Sequence, residues 1–394
     1  MTGNAPHLVL AETRRVLEQN WQEGEWDGRR YAYTEPSPGR YPWQWYWDSC
    51  FAAIVRRRFD PAKARAELES LLSVQRPDGF LGHTIFWRRP VSWERLPFYN
   101  VASRRALQTE TIQPPLLAWA WRLAVGDPAA EPRIAAQADW LLANRDLEGD
   151  GLLWIVQPDE SGLDASPKFE PVWGWRANGL GFPLLVARNR RLGFDARRIR
   201  GAGHPVLCET VVNTLWSLSL QALGRPSATP ALVARLWDER RGLFVDEAQP
   251  GGVRPGPVTW ASLAPLALPD LPEEIGRRLV EEHLLNPAEF LTAVAPPSVA
   301  ISEPSFEAGD GRGLLRRYWR GPTWVNSAWM VWLGLRRLGY EQEAQRLADG
   351  LIAAVAREGL REYYDPRTGK GMGAKDFAWS ALIAELADPD YRFK

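Results

Sequence analysis

Hydrophobic residues recur every three or four positions along most of the chain, whereas the alternation that marks a β-strand is rare. Boundary signals agree with this helical spacing, since Asp60-Pro61 precede one apolar run and Gly193 and Gly339 follow two others. The pattern predicts helices over 6–23, 47–59, 61–75, 110–124, 131–144, 172–193, 205–223, 229–239, 258–268, 272–284, 322–338, 341–358 and 376–387.

The connections between these helices alternate in length. Short ones join consecutive helices, and long ones that include short hairpins cover 24–46, 76–109, 145–171, 285–321 and 359–375. Loops of more than about 15 residues are uncommon unless they carry a function. We therefore predict an all-α toroid of nested helices, formed by a single domain over 1–394, with the long loops gathered at one end. The loops at about 76–109 and 285–321 are predicted to form a cap or lid.

Composition narrows the class of protein. The 394 residues carry 48 basic and 48 acidic side chains, so no polyanion such as nucleic acid is favoured as a partner. Neither a signal peptide nor a run of about 18 apolar residues is present, which predicts a cytoplasmic protein without a membrane partner. The four histidines lack metal-ligand spacing, so neither a metal nor another cofactor is predicted. A homo-oligomer is left open.

Tryptophan is the unusual residue, with 21 copies. Many lie in loops rich in proline and glycine beside charged residues, as in YWRGPTW at Tyr318–Trp324. A pyranose has an apolar C–H face that stacks on indole and a rim of hydroxyls that needs polar partners. The pattern indicates a small-molecule sugar as the ligand, and a glycosidase as the leading interpretation.

Two carboxylates are the candidate catalytic groups. Asp164 lies in SGLDASPKF, a segment of small residues before a helix, where aromatic neighbours such as Trp173 and Trp175 would raise its pKa. Glu362 lies in REYYDP, where tyrosine hydroxyls could hold it against a water. The structural alternatives are a turn or capping role for Asp164 and a solvated loop position for Glu362.

Three further residues are candidate ligands of sugar hydroxyls. Asp48 follows Trp43, Trp45 and Trp47 in YPWQWYWDSCF, although N-capping of a helix would also explain it. Arg320 is a candidate from YWRGPTW, with a structural salt bridge as the alternative. His83 in DGFLGHTIFW is a candidate hydrogen-bonding group of a cleft loop.

Taken together, these motifs resemble glycoside hydrolase family 63 and, more distantly, the trehalase-like (α/α)6-barrel glycosidases. The segments that carry the resemblance are WYWDSCF, QPDGFLGH, TETIQPP, SGLDASPKF, PSVAISEPSF, YWRGPTW and EYYDPRTGKG with FAWSA. They run in order from Trp45 to Ala381. Ala165 and Lys168 depart from the family pattern, since relatives often carry asparagine and arginine at these two positions.

The resemblance implies an inverting enzyme with Asp164 as general acid and Glu362 as general base. It further implies a sugar site that includes the following residues: Tyr41, Trp47, Asp48, His83, Gln113, Trp175, Tyr318, Trp319, Arg320 and Trp324. Within this family, the chain is most similar in length to the bacterial mannosylglycerate and glucosylglycerate hydrolases. That similarity implies an α-linked hexose on glycerate as the substrate. Candidates for the glycerate carboxylate are Tyr41, Arg88, Arg89, Tyr99, Arg104 and Lys375.

Three alternatives stay open at this point. A trehalase-like or oligosaccharide α-glucosidase would use the same barrel with a neutral second sugar. A sugar-binding toroid without catalysis would bind but not turn over, and an epimerase would need histidines as its acid and base.

Overall fold

In the computed structural model, which describes residues 5–88, 91–309 and 318–388, six inner helical segments follow one another around a closed ring. Each contacts the next, and the last contacts the first. In chain order they are Tyr46–Arg56, Leu117–Ala124, Thr210–Ala222, Trp260–Ala267, Val325–Leu338, and Ala378–Leu382 continued by Ile383–Ala387.

A second set of helices surrounds this ring and alternates with it along the chain. It comprises Ala5–Gln19, Pro61–Ser73, Glu131–Arg145, Thr229–Leu236, Glu273–Arg278 continued by the π turn Leu279–Leu284, and Glu341–Glu358. Ala5–Gln19 packs on the last inner segment, so the ring closes between the two ends of the described chain. This arrangement is the predicted all-α toroid, an (α/α)6 barrel.

Burial explains which helices lie inside. Every residue of Tyr46–Arg56 is buried, as is nearly every residue of Val325–Leu338, because an inner helix has neighbours on all sides. The outer helix Glu341–Glu358 instead buries one face at helical spacing. The rings of Phe51, Trp119 and Trp329 pack together inside the barrel and form its floor.

Short antiparallel pairings lie in the connections between helices. Trp21–Trp26 pairs with Arg29–Thr34, and Arg361–Tyr364 pairs with Gly371–Lys375. The remaining strands are Gln44–Trp45 with Thr84–Ile85, Trp237–Asp238 with Leu243–Phe244, and Val206–Cys208 between Trp154–Ile155 and Glu247–Gln249. They fix the ends of loops that would otherwise lack backbone partners.

Several predicted helices are shorter than the apolar pattern indicated. The helix predicted over 6–23 ends at Gln19 because a strand follows, and the one over 110–124 begins at Leu117, after Pro114-Pro115. The helix predicted over 205–223 begins at Thr210, because 206–208 pair as a strand. The segment predicted over 258–268 is largely 3-10 rather than α, and the one predicted over 376–387 begins as a 3-10 helix and ends as an α-helix. Apolar spacing alone does not separate these conformations.

The largest departure is the helix predicted over 172–193. Short turns replace its first half, and a regular helix covers only Phe182–Arg191, because three glycines (174, 179 and 181) interrupt the segment. The helix Ala196–Gly201 was not predicted. The short helical pieces are Leu96–Phe98, Pro128–Ala130, Pro158–Ser161, Pro167–Phe169, Glu170–Trp173, Gly174–Ala177 and Gly179–Gly181.

None of the helices in the described part of the chain combines the length and the apolar character that crossing a bilayer requires.

Candidate active site

A cavity of about 210 Å³ opens at the end of the barrel where the long loops meet. We call it the inner chamber. Four of the five predicted long loops contribute to its wall. It is lined by Pro36, Tyr41, Trp45, Trp47, Asp48, His83, Gln113, Asp159, Gly162, Asp164, Ala165, Asn178, Tyr318, Phe377 and Trp379. Aromatic rings and carboxyl groups dominate this surface.

A second cavity of about 420 Å³ adjoins it, and we call this the outer chamber. The two chambers share the walls formed by Tyr41, Trp45, His83, Asp159, Asp164, Ala165 and Asn178. The outer chamber is otherwise lined by Phe98, Tyr99, Asn100, Pro158, Ala177, Gly179, Leu180 and Phe182. The site therefore has two compartments, and Asp164 lies at their junction.

A tight turn presents Asp164 to both chambers. The Ser161 hydroxyl donates to Pro158 O at 2.6 Å and accepts from Leu163 N at 3.1 Å. Gly162 has φ +72°, and a Cβ there would lie 2.4 Å from the Trp47 indole. Only glycine therefore lets this turn pack against the indole.

Buried ion pairs anchor the same turn to the barrel. The Glu160 carboxylate pairs with Arg145 at 2.6 Å and accepts hydrogen bonds from the backbone of Ile112 and Val156. On the far side of the turn, Lys168 pairs with two carboxylates beside the helix Thr210–Ala222, Glu209 and Asp246. Removing one partner of such a buried set leaves uncompensated charge, so both sets hold the turn in place.

The environment of Asp164 favours the protonated acid. The residue stays exposed to the cavity, and, within the described residues, its carboxyl accepts no hydrogen bond. The protein atoms that crowd around it in the cavity disfavour the charged form and raise the pKa of Asp164 to about 7, and the negative charges of Asp159 and Glu362 act in the same direction. Near neutral pH, Asp164 can therefore donate a proton.

Glu362 lies on the strand Arg361–Tyr364, where a β-bulge shifts the pairing register between Arg361 and Tyr363. Bulges of this kind re-aim a side chain, often beside an active site. The partner strand carries Gly373 with φ +68°, and a Cβ there would lie 2.6 Å from Glu362 Oε2. The local backbone therefore makes room for this carboxylate.

Donors surround the Glu362 side chain, which is fully buried. Tyr41 donates to Oε1 at 2.9 Å, Tyr318 donates to the same oxygen, and Ala374 N donates to Oε2 at 2.8 Å. Arg40 Nη2 lies 3.9 Å from Oε2. Burial raises the pKa of both tyrosines, so their hydroxyls stay protonated and act as donors.

The remaining predicted residues of the inner chamber cluster around the first turn of the helix Tyr46–Arg56. Gln113 Oε1 accepts from Trp47 N at 3.0 Å, which ties the two segments together. Burial raises the pKa of Asp48 well above its usual range, and Glu362 adds to this. Burial lowers the pKa of His83 to about 4, so its imidazole is neutral and lies 5.3 Å from the Trp45 ring.

Four residues predicted to contact the sugar lie outside the lining of both chambers. Trp319 and Trp324 are buried and stack on each other at 4.0 Å, so they are core rather than a sugar platform. Trp324 also packs on Tyr318 at 4.9 Å, which supports that hydroxyl from behind. Arg320 pairs with Glu170, and Trp175 is 62% exposed.

Of the residues predicted to bind a glycerate carboxylate, some line the chambers and others do not. Tyr41 lines both chambers and Tyr99 lines the outer one. Outside the lining, Arg88 donates to Gln22 and Arg104 lies over Trp93. Lys375 is an exposed strand residue that also lies outside the lining, and Arg89 lies outside the described residues.

Sequence reasoning missed several lining residues. Trp45, Phe377 and Trp379 stand within or beside the conspicuous aromatic segments, which was an available signal. For Asp159 and Asn178 the sequence offered no such signal, because an isolated polar residue in a loop does not reveal where its side chain points. Among the described residues, no group of three or more histidine, cysteine or acidic side chains is arranged to hold a metal ion.

Comparison with known proteins identifies the family of the chain. The chain matches the family described as "Mannosylglycerate hydrolase MGH1-like glycoside hydrolase domain" over residues 41–225 and 224–380. It is 31% identical to a mannosylglycerate hydrolase of Thermus thermophilus, over 90% of this chain and 96% of the relative. It is 24% identical to glucosylglycerate hydrolase of Mycolicibacterium hassiacum, over 88% of this chain and 92% of the relative.

A solved structure shares the fold over nearly the whole chain. The crystal structure of a GH63 mannosylglycerate hydrolase from Thermus thermophilus in complex with Tris superposes with a TM-score of 0.80, at 28% identity. The match covers 96% of this chain and 99% of the other. The chain therefore belongs to the MGH1-like glycoside hydrolases of family 63 and is a glycosidase.

Proposed function

We propose that the chain is an inverting hydrolase that releases an α-linked hexose from glycerate. The observation that carries this proposal is that one carboxyl group lines the inner chamber, while a second, the fully buried Glu362, lies outside the lining and is hydrogen-bonded to two tyrosines that line it. Asp164, with its pKa near 7, faces the chamber, and Tyr41 and Tyr318 line it while donating to Glu362. The names of the relatives in Thermus thermophilus and Mycolicibacterium hassiacum support the glycerate glycosides as substrates.

In the proposed mechanism, Asp164 transfers its proton to the glycosidic oxygen as the bond to the anomeric carbon breaks. Glu362 takes a proton from the water that attacks the opposite face of that carbon, so the configuration inverts. The two carboxyl groups must then lie about 6.5–9.5 Å apart to admit the water. Asp164 ends ionised and Glu362 protonated, and exchange with solvent restores both.

The inner chamber is the proposed site of the hexose. The indoles of Trp47 and Trp379 offer apolar faces for the ring C–H groups, while Asp48, Gln113 and His83 offer partners for its hydroxyls. The aromatic packing that fills the barrel beneath Trp47 and Phe51 favours a closed pocket for one terminal sugar rather than a channel for a polymer.

The outer chamber is the proposed site of the leaving group. We infer in addition that the whole chain forms one catalytic domain, which the main cluster of buried residues supports because it runs from Val9 to Ala387. The segments 76–109 and 285–321, predicted to be a cap, each contribute to the chamber walls through residues such as His83 and Tyr318.

A substrate panel tests this function. The protein is incubated with α-mannosylglycerate, α-glucosylglycerate and trehalose, and the anomeric proton of the first product is followed by NMR. We expect one or both glycerate glycosides to be cleaved, with the β-hexose appearing first. An α-hexose as first product would overturn inversion, and cleavage of trehalose alone would overturn the glycerate substrate. The Asp164→Asn variant serves as the control for contaminating activity.

One observation favours a second candidate, an α-linked disaccharide. Among the described residues that line the two chambers, none is lysine or arginine, whereas a glycerate carboxylate is usually bound by such cations. A neutral second sugar would need only the aromatic and amide groups that are present. The trehalose arm of the panel decides between the two.

A further inference from the structure

The mechanism above gives Asp159 no contact with the substrate, although its charge helps to raise the pKa of Asp164. Its carboxylate lies at the junction of the two chambers. It belongs to the turn Pro158–Ser161, five residues before Asp164, and it lines both cavities. It therefore borders the outer chamber, which is the proposed site of the leaving group, as well as the inner one.

A chain of buried amides fixes the orientation of this carboxylate. Asn100 donates to Asp159 Oδ2 at 2.5 Å, and Gln157 donates to Oδ1 at 2.7 Å. Gln157 also donates to Asn100 Oδ1 at 2.7 Å, and Asn189 donates to Gln157 Oε1 at 3.0 Å. All three amides are buried. Burying such a network is costly unless each of its polar groups has a hydrogen-bond partner. Asp159 is the end of this network that faces the cavity.

The fixed carboxylate remains open to the cavity, because Asp159 is only half-buried and lines both chambers. The two side-chain amides each donate to one oxygen, and the backbone N–H groups of Asp159 and Glu160 also act on it, so a further donor has to approach from the cavity. Neither lysine nor arginine is among the described residues that line the chambers, so none of those residues offers a cation to this carboxylate. A neutral donor fits the accessible side of the carboxylate, and in a carbohydrate-derived ligand that donor is a hydroxyl.

Glycerate supplies such a hydroxyl. When its 2-hydroxyl forms the glycosidic bond, the 3-hydroxyl remains free on one adjacent carbon, and the carboxylate is the other neighbour. The charge of Asp159 repels that carboxylate, so the leaving group binds with its free hydroxyl towards Asp159. This orientation also places the glycosidic oxygen towards Asp164.

We propose that Asp159 is a specificity-determining residue that accepts a hydrogen bond from the free hydroxyl of the leaving group. The inference rests on the proposed function, since it takes glycerate as the leaving group. It goes beyond that function because it assigns the recognition of one hydroxyl to one side chain, and it explains why two buried amides donate to that side chain and a third holds one of them.

The test compares two substrates that differ only in this hydroxyl. One is the α-hexosylglycerate that the protein cleaves best, and the other is the same hexose linked to lactate, which is glycerate without the free hydroxyl. The variants are Asp159→Asn, which keeps the shape but loses acceptor capacity, and Asp159→Ala, which removes the acceptor. Asp349→Asn, on the outer helix Glu341–Glu358, is the matched control.

We expect the wild-type protein to prefer the glycerate glycoside by about 10- to 100-fold in kcat/KM, as for a hydrogen bond to a charged group. In both Asp159 variants the preference should fall towards unity, chiefly because cleavage of the glycerate glycoside slows. Asp349→Asn should keep the wild-type preference. Continued cleavage of the lactate glycoside shows that a variant retains an intact site.

Three outcomes would overturn the inference. If the wild type cleaves both glycosides equally well, the hydroxyl is not recognised. If the variants lose activity on both substrates and keep the wild-type ratio, Asp159 only supports the fold of the turn. If the wild type cleaves neither glycoside, the proposed function itself fails, and the result is distinguishable from the other two.

Discussion

Asp164 and Glu362 carry similar functional groups in opposite surroundings. Glu362 is fully buried on a strand, with Tyr41 and Tyr318 donating to one oxygen and a backbone amide to the other. Asp164 projects from a turn into the cavity and, within the described chain, receives no donor, and its pKa is raised to about 7. Glu362 thus accepts several hydrogen bonds, whereas Asp164 accepts none from the described residues.

The difference teaches how one site can treat two carboxyl groups differently. Crowding by protein atoms without compensating donors favours the neutral acid at Asp164, whereas three hydrogen bonds fix the orientation of Glu362. Each environment also has its own glycine, Gly162 beneath the turn of Asp164 and Gly373 opposite Glu362. Backbone shape therefore determines how each carboxyl group is presented.

Removing either carboxylate should have the largest effect. For Glu362→Gln and Asp164→Asn we expect kcat on an α-hexosylglycerate to fall by about 10³-fold or more, because each variant removes an acid or base from the reaction. The two variants should differ on an α-hexosyl fluoride, whose leaving group needs no proton. Asp164→Asn should recover substantial activity there, and Glu362→Gln should not.

Thermal unfolding of both variants controls for loss of fold. Equal loss of activity on the fluoride and on the glycerate glycoside in Asp164→Asn would remove Asp164 as the acid. Near-normal turnover by Glu362→Gln would remove Glu362 as the base.

Displacing the Glu362 carboxylate by a substitution at Gly373 should reduce activity less. In Gly373→Ala the new methyl would lie 2.6 Å from Glu362 Oε2, so the carboxylate must move. Because a small misplacement of a catalytic group can cost about 10²-fold, we expect kcat/KM to fall by roughly 10- to 100-fold. Stability should fall by about 1–2 kcal/mol, because alanine is strained at φ +68°.

Gly369→Ala is the matched control, since Gly369 has the same φ and its Cβ would meet Arg357 and Ala354 rather than Glu362. We expect a similar loss of stability with near wild-type activity. Equal losses of activity in the two alanine variants would mean that strain in the hairpin, and not displacement of Glu362, explains the effect.

The pH dependence tests the acid alone and involves the smallest change. Because Asp164 must be protonated to act, kcat/KM should decline as the pH rises through about 7, the pKa to which burial raises this carboxyl. The decline should approach tenfold per pH unit on the alkaline side. A profile of kcat/KM that stays flat to pH 9 would contradict the role of Asp164, provided that circular dichroism shows an intact fold at each pH.

The two candidate catalytic carboxylates were identified from the sequence and their local chemistry, but part of the predicted aromatic lining of the sugar site was wrong. YWRGPTW was interpreted as a sugar platform because its tryptophans stand beside glycine, proline and arginine. In the structure Trp319 and Trp324 stack on each other in the core, and Tyr318 alone of this segment lines the chamber. Local composition does not specify which side of a loop faces the core, and packing decides it.

The broken helix over 172–193 and the missed Asp159 have a related cause. Apolar spacing is compatible with several turns as well as with one helix, and only contacts with other elements select between them. Asp159 became recognisable because Asn100 donates to it from a distant part of the chain, and because Gln157, which donates to its other oxygen, is itself held by the distant Asn189. No pattern within a few residues of Asp159 contains that information.

By itself the sequence determined the all-α class, the alternation of short and long connections and the motifs that carry Asp164 and Glu362, because these depend on residue spacing and local chemistry. The tertiary structure alone decided which tryptophans line the chambers and which fill the core. It also decided which donors reach Glu362 and where Asp159 points. These properties arise from contacts between residues far apart in the chain, such as Tyr41 with Glu362, and such contacts exist only once the ring of helices has closed.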